Sequence, residues 1–62
     1  MAYQIWIKNL PISHTLAWEI VRKFPSAWWN GRVLRTKEER KAKQIKKELE
    51  KYAGSNVYIT EV

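Results

Sequence analysis

The stretch Ala27-Trp28-Trp29-Asn30-Gly31-Arg32-Val33-Leu34-Arg35 decides the fold, because it lies between two helical patterns and must supply either two strands or one. Asn30-Gly31 separates apolar runs, and both residue types tolerate the positive φ that a type I′ hairpin turn demands. The stretch therefore predicts two short strands, Ala27-Trp28-Trp29 and Arg32-Val33-Leu34-Arg35. Immediately upstream, Pro25 ends a helix, since its ring disfavours helical geometry in Phe24 and it cannot donate the next hydrogen bond. Immediately downstream, Thr36-Lys37-Glu38-Glu39 has the form of a capping box, with Thr36 at the N-cap and Glu39 three residues on.

Working outward, the first helix runs back to Ser13, which can cap it while Ile12 and Ala17 occupy hydrophobic-staple positions. Leu16, Ala17, Ile20, Val21 and Phe24 share one arc of this helix, Glu19, Arg22 and Lys23 lie outside it, and Trp18 falls off it. The second helix runs to Tyr52 or Ala53, where Gly54 supplies a stop, and its apolar stripe is Ala42, Ile45, Leu49, Tyr52 and Ala53. At the two ends of the chain, Tyr3-Gln4-Ile5-Trp6-Ile7-Lys8 and Asn56-Val57-Tyr58-Ile59-Thr60-Glu61-Val62 alternate with period two and read as half-buried strands.

The resulting order is β-α-β-β-α-β over a single domain, residues 1–62. This places the chain in the α+β class as a two-layer, ferredoxin-like sandwich, an antiparallel sheet with both helices on one face. A chain of 62 residues buries only about 60% of the surface that its unfolded form exposes, so one thin core is expected and no deep cleft. Without cysteine there is neither a disulfide framework nor a thiolate metal site, and a reducing cytoplasm is the expected setting. The apolar runs are far shorter than a membrane span, and no signal-type segment is evident.

Strand alternation then determines which side chains reach solvent. If the helices bury Ile5, Ile7, Val57 and Ile59, then Trp6, Lys8, Tyr58 and Thr60 fall on the uncovered sheet face. Adjacent Trp28 and Trp29 must point to opposite faces, one into the core and one onto this surface. Twelve Lys and Arg against six Glu and no Asp leave a charge of +6, which favours an anionic partner. An open face with Trp6, Tyr58, Lys8 and Arg32 or Arg35 suits stacking of unpaired bases, since every base has a π-face. Arg40, Lys43, Lys47 and Lys51 line the outer side of the second helix, where they could track phosphates or simply be solvated. That row points away from the open sheet, so it would not share one short ligand with Trp6.

Ile5-Trp6-Ile7-Lys8-Asn9-Leu10, followed by Pro11, resembles the first-strand signature of the RNA recognition motif, and the element order is that family's. The resemblance implies that Trp6 stacks a base. It covers seven residues and the topology; the family's second signature, with a glycine and two outward aromatics on the third strand, has no counterpart in Arg32-Val33-Leu34-Arg35.

Other readings coexist with this one. Trp6 and Tyr58 could be cross-strand partners that only stabilise the sheet, and Trp28 and Trp29 could be core fillers. Exposed Trp18, Trp28 and Trp29 could instead anchor a protein partner, as in a small phage or mobile-element regulator that docks on an acidic or nucleic-acid-binding surface of a host complex. Self-association through an edge strand or around Trp18 would give a homodimer. Catalysis is not expected. The sole histidine, His14, stands beside Ser13 and Thr15 with no Asp in the chain to orient it. One histidine without cysteine makes no zinc site, and Gly31 and Gly54 alone make no phosphate-binding loop, so neither metal nor cofactor is expected. The partner is expected to be single-stranded RNA or DNA, or such a protein, and not a membrane.

Overall fold

The computed structural model describes all 62 residues. Tyr3–Ile7 forms β1 and Val57–Glu61 forms β4, paired antiparallel over five positions from Tyr3 opposite Glu61 to Ile7 opposite Val57. Between them, in chain order, come α1 (His14–Lys23), β2 (Trp28–Trp29), β3 (Leu34–Thr36), α2 (Glu39–Ala53) and a short 3-10 turn (Gly54–Asn56). The four strands make one antiparallel sheet in the order β2-β3-β1-β4. Each βαβ unit is thus split by a strand from the other, and the fold is the α+β, ferredoxin-like βαββαβ arrangement. No helix is long and apolar enough to cross a membrane.

The core lies between the sheet and the helices. Ile5, Leu34 and Val57 from the strands meet Ala17 and Ile20 of α1 and Ala42, Ile45 and Leu49 of α2, all essentially inaccessible to solvent. The end of α1 follows from its sequence signals: the Ser13 hydroxyl accepts the Leu16 N–H at 3.2 Å, and Ile12 and Ala17 are buried at the staple positions. Phe24 takes the C-cap and donates its N–H to the Ile20 carbonyl.

Four local expectations are corrected. The Asn30-Gly31 stretch is not a two-residue type I′ turn. Trp29 pairs with Leu34, so the loop holds four residues, Asn30 to Val33. Only Gly31 has positive φ, 76°, and the Arg32 N–H bonds to the Asn30 carbonyl at 2.8 Å, the i to i+2 closure of a γ-turn. The loop is recruited by a tertiary contact, because the Ile12 N–H donates to the Arg32 carbonyl at 3.0 Å. As a result β3 begins at Leu34 rather than Arg32.

Thr36, in turn, is not the N-cap of α2. It ends β3, fully buried, and its hydroxyl accepts the Glu38 N–H at 3.3 Å. Pairing with Tyr3 of β1 outweighed capping, and Glu38 begins the helix with no side-chain cap. Tyr52 is exposed rather than part of the α2 stripe, its hydroxyl donating to Glu19 at 3.4 Å on the outer surface.

The fourth correction concerns Trp28 and Trp29, neither of which enters the core. β2 is the outermost strand and only two residues long, so α1 reaches over it without closing it off. The interior volume is taken instead by Ile12, Ala17, Ile20 and Ala27.

Gly54 closes α2 with φ 61° and ψ −137°, a backbone region in which a side chain is strained, and its N–H bonds to the Glu50 carbonyl. A Cβ built there would meet no other atom within 4 Å, so Gly54→Ala isolates backbone strain from crowding. Its cost is expected to be about 1–3 kcal/mol, read as a lower urea midpoint at unchanged m-value.

Candidate functional site

Register assigns every strand residue to a face. Gln4 of β1, Arg35 of β3, Trp28 of β2 and Thr60 of β4 form one row across the sheet, and Trp6 and Tyr58 form the next. These alternate with the buried Ile5, Ile7, Leu34 and Val57, so both rings stand on the side that the helices leave uncovered. The expected division into a dry and a wet face is present.

Trp6 is half-buried and lies opposite Tyr58, with ring centroids 5.0 Å apart and planes inclined by 29°. Its indole N–H donates to the Thr60 hydroxyl at 2.8 Å. Stacking on one side and a hydrogen bond at the rim hold the indole in one orientation on a rigid strand. Its other flank borders an open groove of about 300 Å³, lined by Gln4, Trp6, Asn9, Leu10, Pro11 and Arg32 together with Ile7 and Val33. Asn9 has φ 61°, a left-handed conformation that asparagine tolerates better than other side chains. It turns the chain out of β1 so that Leu10 and Pro11 form the groove's rim. Asn9 in this motif is therefore explained by backbone geometry.

The same face is electropositive. Arg35 directs Nε and Nη2 to the Gln4 amide oxygen at 3.2 and 3.0 Å, which orients the guanidinium without neutralising it. Arg32 lines the groove and Lys8 lies in the turn just past the end of β1, which stops at Ile7 rather than Lys8; neither they nor Arg35 form an ion pair, the only salt bridges being Lys23–Glu48, Lys46–Glu50 and Lys51–Glu48. No carboxylate occupies an open-face position. Glu61, the one acid on a strand, has the opposite parity, opposite Tyr3. Burial first, and then the charges of Glu39 and Glu61, raise the Tyr3 hydroxyl above its ordinary value.

The second-helix cations are not gathered at this face. Arg40, Lys43 and Lys47 lie on the exposed side of α2 around a shallow concavity that they share with Glu39, Gln44, Lys46 and Glu50, and Lys51 is paired with Glu48 at 3.1 Å. The tryptophans outside the sheet centre form a separate cluster. Trp18, Trp28 and Trp29 surround a second groove with Ala17 and Val21, beyond the edge of β2. Sequence reasoning named the three indoles but not their convergence, and it missed Asn9, Leu10, Pro11 and Gln4 in the first groove. Gln4 and the Asn9–Pro11 turn are close to Trp6 along the chain, and the backbone bond from Ile12 to Arg32 brings the distant loop to them.

One ion-pair cluster clasps the helices. Glu48 of α2 accepts from Lys23 of α1 at 2.7 Å and from Lys51 at 3.1 Å. These bonds, that from Lys23 foremost, hold the Glu48 carboxyl below its ordinary 4.5, while the bond to Glu48 lifts Lys23 above its ordinary 10.5. The signs give opposite windows. The Glu48 contribution is present above the ordinary carboxylate value and is lost as pH falls through the lowered one. The Lys23 contribution is complete below the ordinary lysine value and is lost as pH rises through the raised one. Thermal denaturation across pH is expected to show both flanks. Glu48→Gln should flatten the acid flank, and equal acid sensitivity in the variant would exclude the clasp as its source.

Compared with known families and proteins, the chain matches no family model, no curated protein and no solved structure.

Proposed function

We propose that this domain binds single-stranded nucleic acid on its open sheet face, without catalysis. The observation that carries the reading is the juxtaposition of the Trp6–Tyr58 pair, on a face without carboxylate side chains, with Arg35 in the adjoining row, Arg32 in the groove and Lys8 just past the end of β1. An unpaired base needs a flat apolar partner and a nearby cation for its phosphate, and the two together are the usual composition of single-strand grooves. Trp6 offers the groove-side flank of its indole, and the rim at Leu10 and Pro11 limits how a base can slide. Arg32, which lines the groove, would meet the phosphate there. Arg40, Lys43 and Lys47 add long-range attraction from the opposite layer rather than contacts to the same bases. The likeness of the Ile5–Pro11 segment to the first strand of the RNA recognition motif supports the same role for Trp6.

The test is a fluorescence-anisotropy titration of labelled oligo-dT and oligo-U at two salt concentrations. Saturable binding is expected at low salt, weakening as salt rises with a logarithmic slope of about −2, because three open-face cations each release about 0.7 of a counterion on a single strand. Arg32→Ala should reduce that slope by about 0.7. Absence of saturable binding at low salt overturns the reading.

A further inference from the structure

Three indoles converge at the β2 edge of the sheet, two strands away from Trp6. Trp18, Trp28 and Trp29 are 56%, 41% and 37% exposed, and with Ala17 and Val21 they line an open groove of about 260 Å³ that has no polar residue in it. The cluster is organised. The Trp18 indole N–H donates to His14 Nε2, the His14 ring meets Trp18 edge-on at 6.0 Å, and it lies 5.3 Å from the Trp29 ring. His14, without a role in the reading above, thus holds the rims of the groove together.

The backbone beside this groove is open as well. The Asn30 N–H bonds to the Val33 carbonyl at 2.8 Å, which makes Asn30/Val33 a hydrogen-bonded position of the β2–β3 ladder. In an antiparallel ladder such positions alternate with non-bonded ones, and Trp29 opposite Leu34 is the next. The main-chain groups of Leu34 turn toward β1, its neighbour on the other side, while those of Trp29 turn outward from the edge strand. An edge with a free N–H and C=O beside an apolar groove is the arrangement into which an extended peptide adds as a strand.

Charge selects the occupant. No carboxylate lines the groove. Four of the six glutamates stand at or in α2, Glu61 is on β4 at the far edge, and Glu19 accepts from Tyr52 on the α2 side of α1. On the strand beside β2, Arg35 stands opposite Trp28 and forms no ion pair, and the chain as a whole carries a net charge of +6. A second copy would carry the same net charge of +6 and be repelled. We infer that the Trp18–Trp28–Trp29 groove docks an extended acidic segment of another protein, adding as a strand to β2 with alternate apolar side chains between the indoles. The domain would then join a single strand on its open face to an acidic protein at its edge.

The experiment uses the full chain and a ten-residue peptide of alternating leucine and glutamate, followed through the indole N–H resonances by NMR. Saturable shifts at Trp18 and Trp29, with Trp6 unmoved, are expected at peptide concentrations up to about 1 mM. Leucine-to-serine replacement in the peptide, N-methylation of alternate peptide amides, and Trp18→Ala in the protein should each weaken binding at least about tenfold, or about 1.4 kcal/mol. His14→Phe, which retains a ring but loses the acceptor, should weaken it less than Trp18→Ala does. The inference is overturned if no resonance saturates or if the N-methylated peptide binds equally well. It is also overturned if oligo-dT moves the Trp18 and Trp29 signals, or if raising the protein concentration alone does so, since the occupant would then be a nucleic acid or a second copy. None of these outcomes depends on whether oligonucleotide binds at Trp6.

Discussion

Ile45→Ala is expected to remove a large share of the domain's stability at 25 °C. Ile45 has no solvent exposure and sits between Ala42 and Leu49 on the buried side of α2, the helix that contacts β4, β1 and β3. Removing its outer carbons costs about 2–5 kcal/mol, transfer and cavity terms together. Alanine's better helix propensity returns at most about 0.5 kcal/mol of that. The whole domain, at about 0.05–0.15 kcal/mol per residue, is stabilised by only roughly 3–9 kcal/mol, so one cavity removes a large share. Urea denaturation followed by circular dichroism should show the midpoint fall steeply with the m-value retained. Ile45→Val, losing one methylene, should cost about 0.5–1.5 kcal/mol. If Ile45→Ala shifted stability by less than Ile45→Val, Ile45 would not lie at the centre of the core.

The largest functional effect is expected from Trp6→Ala. A stacked base is worth about 1–3 kcal/mol by alanine substitution, so the affinity for oligo-dT or oligo-U should fall by about 5- to 150-fold. The same change removes the Tyr58 stack and the bond to Thr60, so some loss of stability will accompany it, of the order of 0.5–1.5 kcal/mol from the aromatic pair. Two controls separate the effects. Trp6→Phe loses the bond to Thr60 and keeps a π-face, and it should bind within a few-fold of the parent. Thr60→Val loses the same bond with the indole intact, and it should leave affinity nearly unchanged. If a folded Trp6→Ala protein binds as well as the parent, the Trp6–Tyr58 pair serves only the sheet and the proposed platform is wrong.

How much of this was legible beforehand differs from element to element. Period-two alternation in Tyr3–Lys8 and Asn56–Val62 needs no partner to be read, and it correctly placed Trp6 and Tyr58 on the wet face. The first helix and the end of the second were equally legible, because Ser13, Pro25 and Gly54 act on the backbone within one turn of themselves. The local signals failed where a distant segment competed for the same residues. Thr36 had a good capping sequence, but β1 claimed it as a strand partner. Asn30-Gly31 had a good turn sequence, but the bond from Ile12 to Arg32 drew the loop wider. Trp28 and Trp29 had the bulk of core residues, but they fell on the outermost strand.

What the sequence by itself determined is the succession of elements, the sidedness of the two outer-sequence strands and the surplus of positive charge. These follow from covalent neighbours: alternation along a strand, caps at a helix end and a count of ionisable groups. The tertiary structure alone decided that Arg32 and the Asn9–Pro11 turn lie beside Trp6, that Gln4 orients Arg35, and that three tryptophans from α1 and β2 meet at one edge. Arg32 and Trp6, Gln4 and Arg35, and Trp18 and Trp28 are far apart along the chain. Their proximity is set by strand order and loop closure, which depend on how the whole core packs and not on any local stretch of residues.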